Sequence, residues 1–361
     1  MGVPVSKREE HLQKFRKIFN GAKNAGRYGK GLLDQAAAEN GMTVLLNATP
    51  DNFPTCQDKD RLASARRSHL MDVETTGLDR DVDKIIQLAC VEIFHDDDEI
   101  LAIGETYEAF NDPGIPITPE ISRLTGISQE DVLGHAFDSE EIAAFIGDPE
   151  MVVFHNAAFD RKFIEKHLPD IGFEKHRVDC SMNQVDWAAR DVTTTKLEVL
   201  VPRMGFYYEA HNAKSDIYGL AFLLNARHDG RTAFSEMYEN GCHDHLLLMP
   251  LTPRFDVKVN EGLKSLGFRF SYDGTESGGI PKSWFKQVPA RADTLDGLVE
   301  DLKRIEAYGP DVDFFFDYQR FSPECRYSER YVTKDRHLSR EMRDLTDFSV
   351  FADCFSITDR M

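Results

Sequence analysis

A chain of 361 residues, 41% hydrophobic and 29% charged, is long enough for two domains and reads as soluble and globular, not disordered. It holds no run of eighteen apolar residues, the minimum for a membrane-spanning helix, and its net charge of −19 makes it a poor non-specific binder of duplex phosphates. The acidity is concentrated: residues 1–67 carry 12 Lys and Arg against 7 Asp and Glu, residues 68–250 carry 14 against 35, and residues 251–361 carry 17 against 20.

In chain order, eight Lys and Arg between Lys7 and Lys30 face only Glu9 and Glu10, and Leu12, Phe15, Ile18 and Phe19 recur at helical spacing until several glycines interrupt them. The beginning shows no apolar core followed by a small-residue cleavage site, so no secretory leader is expected. Residues 47–67, with Pro50, Asn52 and Pro54, read as a linker. Strands are predicted at His69–Val73, Ile85–Phe94 and Ile100–Phe110, the last two joined by an acidic turn at His95–Glu99. Helices follow near 118–126 and 139–147, then the short apolar strand Met151–Phe154, a helix over Phe159–Leu168, and helices near 196–204 and 213–227. Strands followed by alternating helices and strand describe an α/β domain with a mixed sheet. After Pro250 a helix (Val259–Leu266), two aromatic strands (Phe268–Tyr272 and Ser283–Val288), a helix near 293–307 and a strand (Val312–Tyr318) read as a small α+β domain. The division is therefore a basic extension and linker (1–67), a central domain (68–250) and an accessory domain (251–361). Six scattered cysteines without a C-x-x-C pair fit a reducing, cytoplasmic setting. The cluster Cys242-His243-Asp244-His245 lacks a second ligand pair and is a weak zinc candidate.

Three motifs carry chemistry. In Asp72-Val73-Glu74-Thr75-Thr76-Gly77, strand alternation puts Asp72 and Glu74 on one face. Two such carboxylates repel unless cations neutralise them, and hard divalent cations prefer carboxylate oxygens. In His155-Asn156-Ala157-Ala158-Phe159-Asp160, Asp160 falls at a predicted helix start, where an acid is also an ordinary dipole partner. In His211-Asn212-Ala213-Lys214-Ser215-Asp216, a histidine precedes a helix that has Asp216 in its first turn. Either of the last two alone resembles an unexceptional helix start.

Together, in this order and at these separations, the motifs resemble the DnaQ-like, or DEDDh, 3′–5′ exonuclease superfamily over about residues 68–226. The segment Ile117–Ile127 resembles a further part of that family. The histidine subclass is indicated because His211 lies five residues before Asp216, whereas the tyrosine subclass would need Tyr at the position of Asn212; Tyr207 and Tyr208 lie too far upstream. The resemblance implies a ribonuclease-H-like mixed five-stranded sheet with helices on both faces, and two Mg2+ or Mn2+ ions held by Asp72, Glu74, Asp160 and Asp216. It implies that Asp72 bridges the ions, that Glu74 and Asp216 serve the water-activating one, and that His211 is the general base. Thr75, Gly77 and Leu78 would grip the terminal nucleotide, with Leu78 as a wedge, and nucleic acid 3′ ends would be the partner, DNA favoured and RNA possible. Lys214 departs from the family, standing where an apolar residue is usual. An RNA-trimming enzyme, a non-catalytic binding protein on the same fold and a zinc hydrolase at 242–245 remain the alternatives. Residues 251–361 are expected to meet a protein partner or long strands, through core or stacking aromatics (Phe268, Phe270, Tyr272, Trp284, Phe285) and through Arg269, Lys282 and Lys286. A chain cut near 250 is expected to keep its activity.

Overall fold

The computed structural model describes residues 45–250, 257–271, 283–305, 316–328 and 337–339. The basic stretch of residues 7–30, Tyr272 and Lys282 lie outside them. The central sheet is built from β1 (Arg66–Thr75), β2 (Ile85–His95), β3 (Ile100–Phe110), β4 (Val152–Phe154) and β5 (Val178–Cys180), in the order β3-β2-β1-β4-β5. The first three strands pair antiparallel as a meander, and β4 and β5 add in parallel beside β1, as the ribonuclease-H-like expectation requires.

Period-two alternation sorts the strand residues between two cores. Leu70, Ala89, Val91 and Val153 face one side, under α4 (Leu197–Arg203), α5 (Ala213–Leu224) and α6 (Ala233–Gly241). Met71, Val73, Leu88, Cys90 and Val152 face the other, under α2 (Ser139–Ile146) and α3 (Ala157–His167). Between β3 and β4 lies also α1 (Pro119–Thr125), with Thr118 capping its first turn and Gly126 ending it at φ 73°. Each fully buried side chain such as Leu70 or Phe163 contributes about 1.5–3 kcal/mol of apolar burial. On β1, Leu70, Asp72 and Glu74 share the face covered by α5, and this places the two acids against that helix's first turn.

The linker expected at 47–67 is packed against the domain. Leu46–Asn47 pairs in parallel with Phe206–Tyr207, and Phe53 is buried with its ring edge-on to Phe222 at 5.2 Å. Its Pro and Asn residues make the turn at Pro50–Asn52, but Ala48 and Phe53 are core residues.

A second sheet holds β6 (His245–Pro250), β7 (Arg269–Ser271), β8 (Ser283–Pro289), β9 (Phe316–Phe321) and β10 (His337–Ser339) in the order β7-β8-β6-β9-β10, all antiparallel. Helices α7 (Val257–Ser265) and α8 (Ala292–Lys303) pack on it through Leu263, Leu295 and Leu302. Its central strand β6 begins ahead of the division drawn after Pro250. Phe268, Trp284 and Phe285 are buried, and Phe270 packs on Trp284 at 5.3 Å, so these aromatics are core and do not offer stacking faces.

The two units share buried polar contacts. After β9, residues 322–328 return to the central domain. There Arg326, fully buried, donates to Asp179 Oδ1 (2.7 Å) and the Gly241 carbonyl (2.8 Å) and reaches His245 Nε2 (3.0 Å). Arg161 of α3 donates to the Arg326 carbonyl (2.8 Å) and the Glu324 carbonyl (2.6 Å). Tyr327 packs in the core beneath α3, with its hydroxyl on Gln184 Oε1 (3.2 Å). No helix of the described residues is long and apolar enough to cross a membrane.

Candidate active site

Asp72 and Glu74 stand half-buried on β1, and Val73 between them is buried on the opposite face. Asp216 enters from the first turn of α5, where the Asn212 side chain caps Ser215 N (3.2 Å). Asp72, Glu74 and Asp216 each offer one carboxylate oxygen, and these lie within 4.8 Å of one another. Asp160, in the first turn of α3 and 3% exposed, accepts from Val73 N (3.3 Å), the peptide between the two β1 acids. The three motifs thus meet at one end of β1.

The electrostatics follow from crowding four acids where little water reaches them. Burial, then the charges of Asp160, Asp216 and Glu74, push the Asp72 carboxyl well above its usual range. Burial with Asp216 and Asp160 raises Glu74 to about 8, and burial with Asp216 raises Asp160 to about 8 against the help of Val73 N–H. Asp216 rises to about 7 through burial, opposed by His211 and by the backbone N–H groups of Asn212 and His211. Lys214 does not relieve this charge, because its ammonium turns to Glu108 (2.7 Å), whose other oxygen accepts from Gln87 (2.9 Å). Converging all-oxygen donors fit hard divalent ions.

Such shifts make a prediction for the metal-free chain. These carboxyls bind protons in the folded state over the interval from about 4, their ordinary value, to about 7–8, where the unfolded chain has released them. Stability therefore falls as pH rises through that interval. Millimolar Mg2+ is expected to flatten the slope by displacing the protons. Melting curves at pH 5 and pH 8.5, with and without Mg2+, check it. A metal-free chain more stable at pH 8.5 than at pH 5 contradicts it.

His211 adopts φ 64°, a left-handed conformation rare for a non-glycine residue, and its Nε2 lies 2.9 Å from Glu198 Oε2. The other motif histidine, His155, is buried, with Nδ1 on Ser181 Oγ (2.7 Å) and Nε2 on the Thr195 carbonyl (2.6 Å). Burial lowers it to about 4, so it acts as a neutral structural bolt. Thr75 Oγ1 donates to the Gly77 carbonyl (2.6 Å), shaping the turn after β1. A Cβ on Gly77 would meet Asp83 Oδ2 at 2.4 Å, and Leu78 at the tip is 87% exposed.

Two neighbours of the site carry no motif signal. Glu198 is one. Tyr208, set aside on spacing, is the other: it is buried with its hydroxyl facing Asp216, and its ring packs where a Cβ on Gly219 would come within 3.1 Å. Around Cys242–His245, Asp244 is tied to Arg320 and His245 is buried against Arg326 and Gln287, and among the described residues no metal-ligand cluster forms there.

Residues 70–224 match the RNase_T exonuclease family model. A PolC-type DNA polymerase III of Clostridium perfringens is 30% identical over 50% of this chain and 12% of that protein. The PolC-type DNA polymerase III of Latilactobacillus sakei is 26% identical over 85% of this chain and 23% of its own length. The chain therefore spans under a quarter of these curated relatives. Among solved structures, exonuclease X bound to 5′-overhanging duplex DNA is 21% identical, covering 47% of this chain and 99% of that one, with a TM-score of 0.33. E. coli exonuclease I with a dA16 oligonucleotide is 15% identical, covering 66% and 67%, with a TM-score of 0.42.

Proposed function

We propose that the chain is a metal-dependent 3′–5′ exonuclease releasing nucleoside 5′-monophosphates, a reading that the match of residues 70–224 to the exonuclease family model supports. The observation that carries this reading is the convergence of Asp72, Glu74 and Asp216 within 4.8 Å, with Asp160 bonded to the peptide between the first two. These four acids would hold two Mg2+ or Mn2+ ions, which when bound supply Lewis-acid charge to the scissile phosphate. The chain's own residues do the rest. His211 accepts the proton of the attacking water, and the turn Thr75–Leu78 holds the terminal nucleotide, with the exposed Leu78 against its base. The curated relatives are DNA polymerases by name, and on that likeness DNA is the substrate proposed, with residues 251–361 assigned the contacts to a protein partner.

The test is a set of matched DNA and RNA strands labelled at either end. With Mg2+ or Mn2+, 5′-labelled DNA is expected to shorten in single-nucleotide steps while 3′-labelled DNA gives labelled mononucleotide at once. Faster loss of RNA moves the reading to an exoribonuclease; internal cuts, or undiminished activity in EDTA, end it. His211→Ala is expected to lose about 10²–10⁴-fold in kcat, the usual worth of a general base, with Mg2+ affinity retained. An unchanged rate would place the base elsewhere.

A further inference from the structure

Glu198 is in the first turn of α4, an element no motif reaches, and its Oε2 lies 2.9 Å from Nε2 of His211. Two observations bear on whether this contact is incidental. The backbone of His211 is fixed from the other side, since its N–H serves the Asp216 carboxylate and its left-handed φ of 64° leads into the Asn212 cap. The segment leading to Glu198 is fixed as well, because the Thr195 carbonyl accepts from the buried His155, itself seated on Ser181 and directly after β4, the strand that precedes Asp160. One motif histidine thus sets the height of the carboxylate that meets the other.

We propose that Glu198 is a positioning residue for the reaction: its carboxylate holds His211 in the tautomer with the proton on Nε2, leaving Nδ1 as the nitrogen that takes the proton of the attacking water. An ionised carboxylate can only accept, so the Nε2 it meets must carry hydrogen, and in a neutral ring the lone pair then belongs to Nδ1. Glu198 is kept ionised, since hydrogen bonds from His211 and Lys196 outweigh burial and hold it below the usual glutamate range. Lys196 reaches the carboxylate's other oxygen at 3.4 Å, so it does not compete for the atom that meets the ring. The pair is more than a third exposed on both sides, so its removal has little effect on folding, while outer partners of this kind change activity about 10–100-fold by fixing ring orientation. This inference rests on the role given to His211 above.

Glu198→Ala is expected to lower kcat about 10–100-fold with KM for an oligonucleotide, Mg2+ affinity and melting temperature unchanged. Glu198→Gln, whose amide oxygen still accepts from Nε2–H, is expected to lose less. In a His211→Ala background either substitution is expected to cost nothing further. Ring-nitrogen spectra of the metal-free, 15N-histidine-labelled chain, assigned by the signal missing in His211→Ala, are expected to show the Nε2–H form, redistributed in Glu198→Ala. An undiminished kcat in Glu198→Ala, an equal loss in the His211→Ala background, or an Nδ1–H ring in the parent chain overturns the proposal. If Asp72→Ala and His211→Ala both leave cleavage intact, the exonuclease reading is what fails, and the tautomer still decides the pair.

Discussion

Asp72→Ala is expected to abolish hydrolysis, by about a thousandfold or more, while making the metal-free chain more heat-stable at pH 8. Asp72 is pushed above its normal range by burial and by three neighbouring acids, so deleting it removes the least favourable charge in the folded state. The same deletion takes one of the three converging carboxylates from the proposed ion site, and Lewis-acid stabilisation is worth several kcal/mol, each ~1.4 of which is tenfold in rate. Asp160→Ala differs in one respect. It also strands the buried Val73 N–H, which costs about 1–3 kcal/mol, so the fold is not left untouched as a ligand-only role would have it. Melting curves with and without Mg2+, beside rate measurements, separate the two variants. Substantial activity of Asp72→Ala at saturating Mg2+ would rule out the four-carboxylate site.

The second large effect lies far from the site. Arg326→Ala is expected to destabilise the whole chain by about 3–5 kcal/mol, the usual result of removing one partner of a buried ion pair. Among the described residues Asp179, fully buried, then keeps Arg177 (2.7 Å) and Gln184 (3.0 Å), and the Gly241 carbonyl loses the Arg326 donor. A cut after Pro250 goes further. It removes Tyr327 from the core and strips Arg161, next to Asp160, of the Glu324 and Arg326 carbonyls, so a stable active domain ending there is not expected. Urea unfolding followed by circular dichroism checks both, and a midpoint for Arg326→Ala matching the parent chain contradicts them.

How much of this was legible depends on the range of the interactions. Strand alternation announced Asp72 and Glu74, and helix-start signals placed Asp160 and Asp216 at helix N-termini, because both are local rules. That the four meet follows from the order β3-β2-β1-β4-β5, which only the combination of motifs implied. Glu198 gave no sign, since it meets His211 across a loop and an extended segment with no periodicity between them. The 47–67 stretch reads as a linker from its turn residues, and nothing local shows that Phe53 finds Phe222. The apolar run of β6 looks the same in either sheet, and the aromatics of β7 and β8 look alike as core or as stacking platform until their burial is seen.

The return of residues 322–328 also bears on how the molecule is made. All five strands of the central sheet and all four site acids have been synthesised by residue 216, yet the contacts that seat Arg161 and Asp179 span 165 and 147 residues of chain. Contacts of such separation slow folding, because the loop entropy is lost before they form. A nascent chain stalled at 250 holds a complete set of ligands on an incomplete scaffold, with a buried aspartate and an arginine still waiting for partners. The proposed centre is thus synthesised well before the segment that locks its scaffold in place.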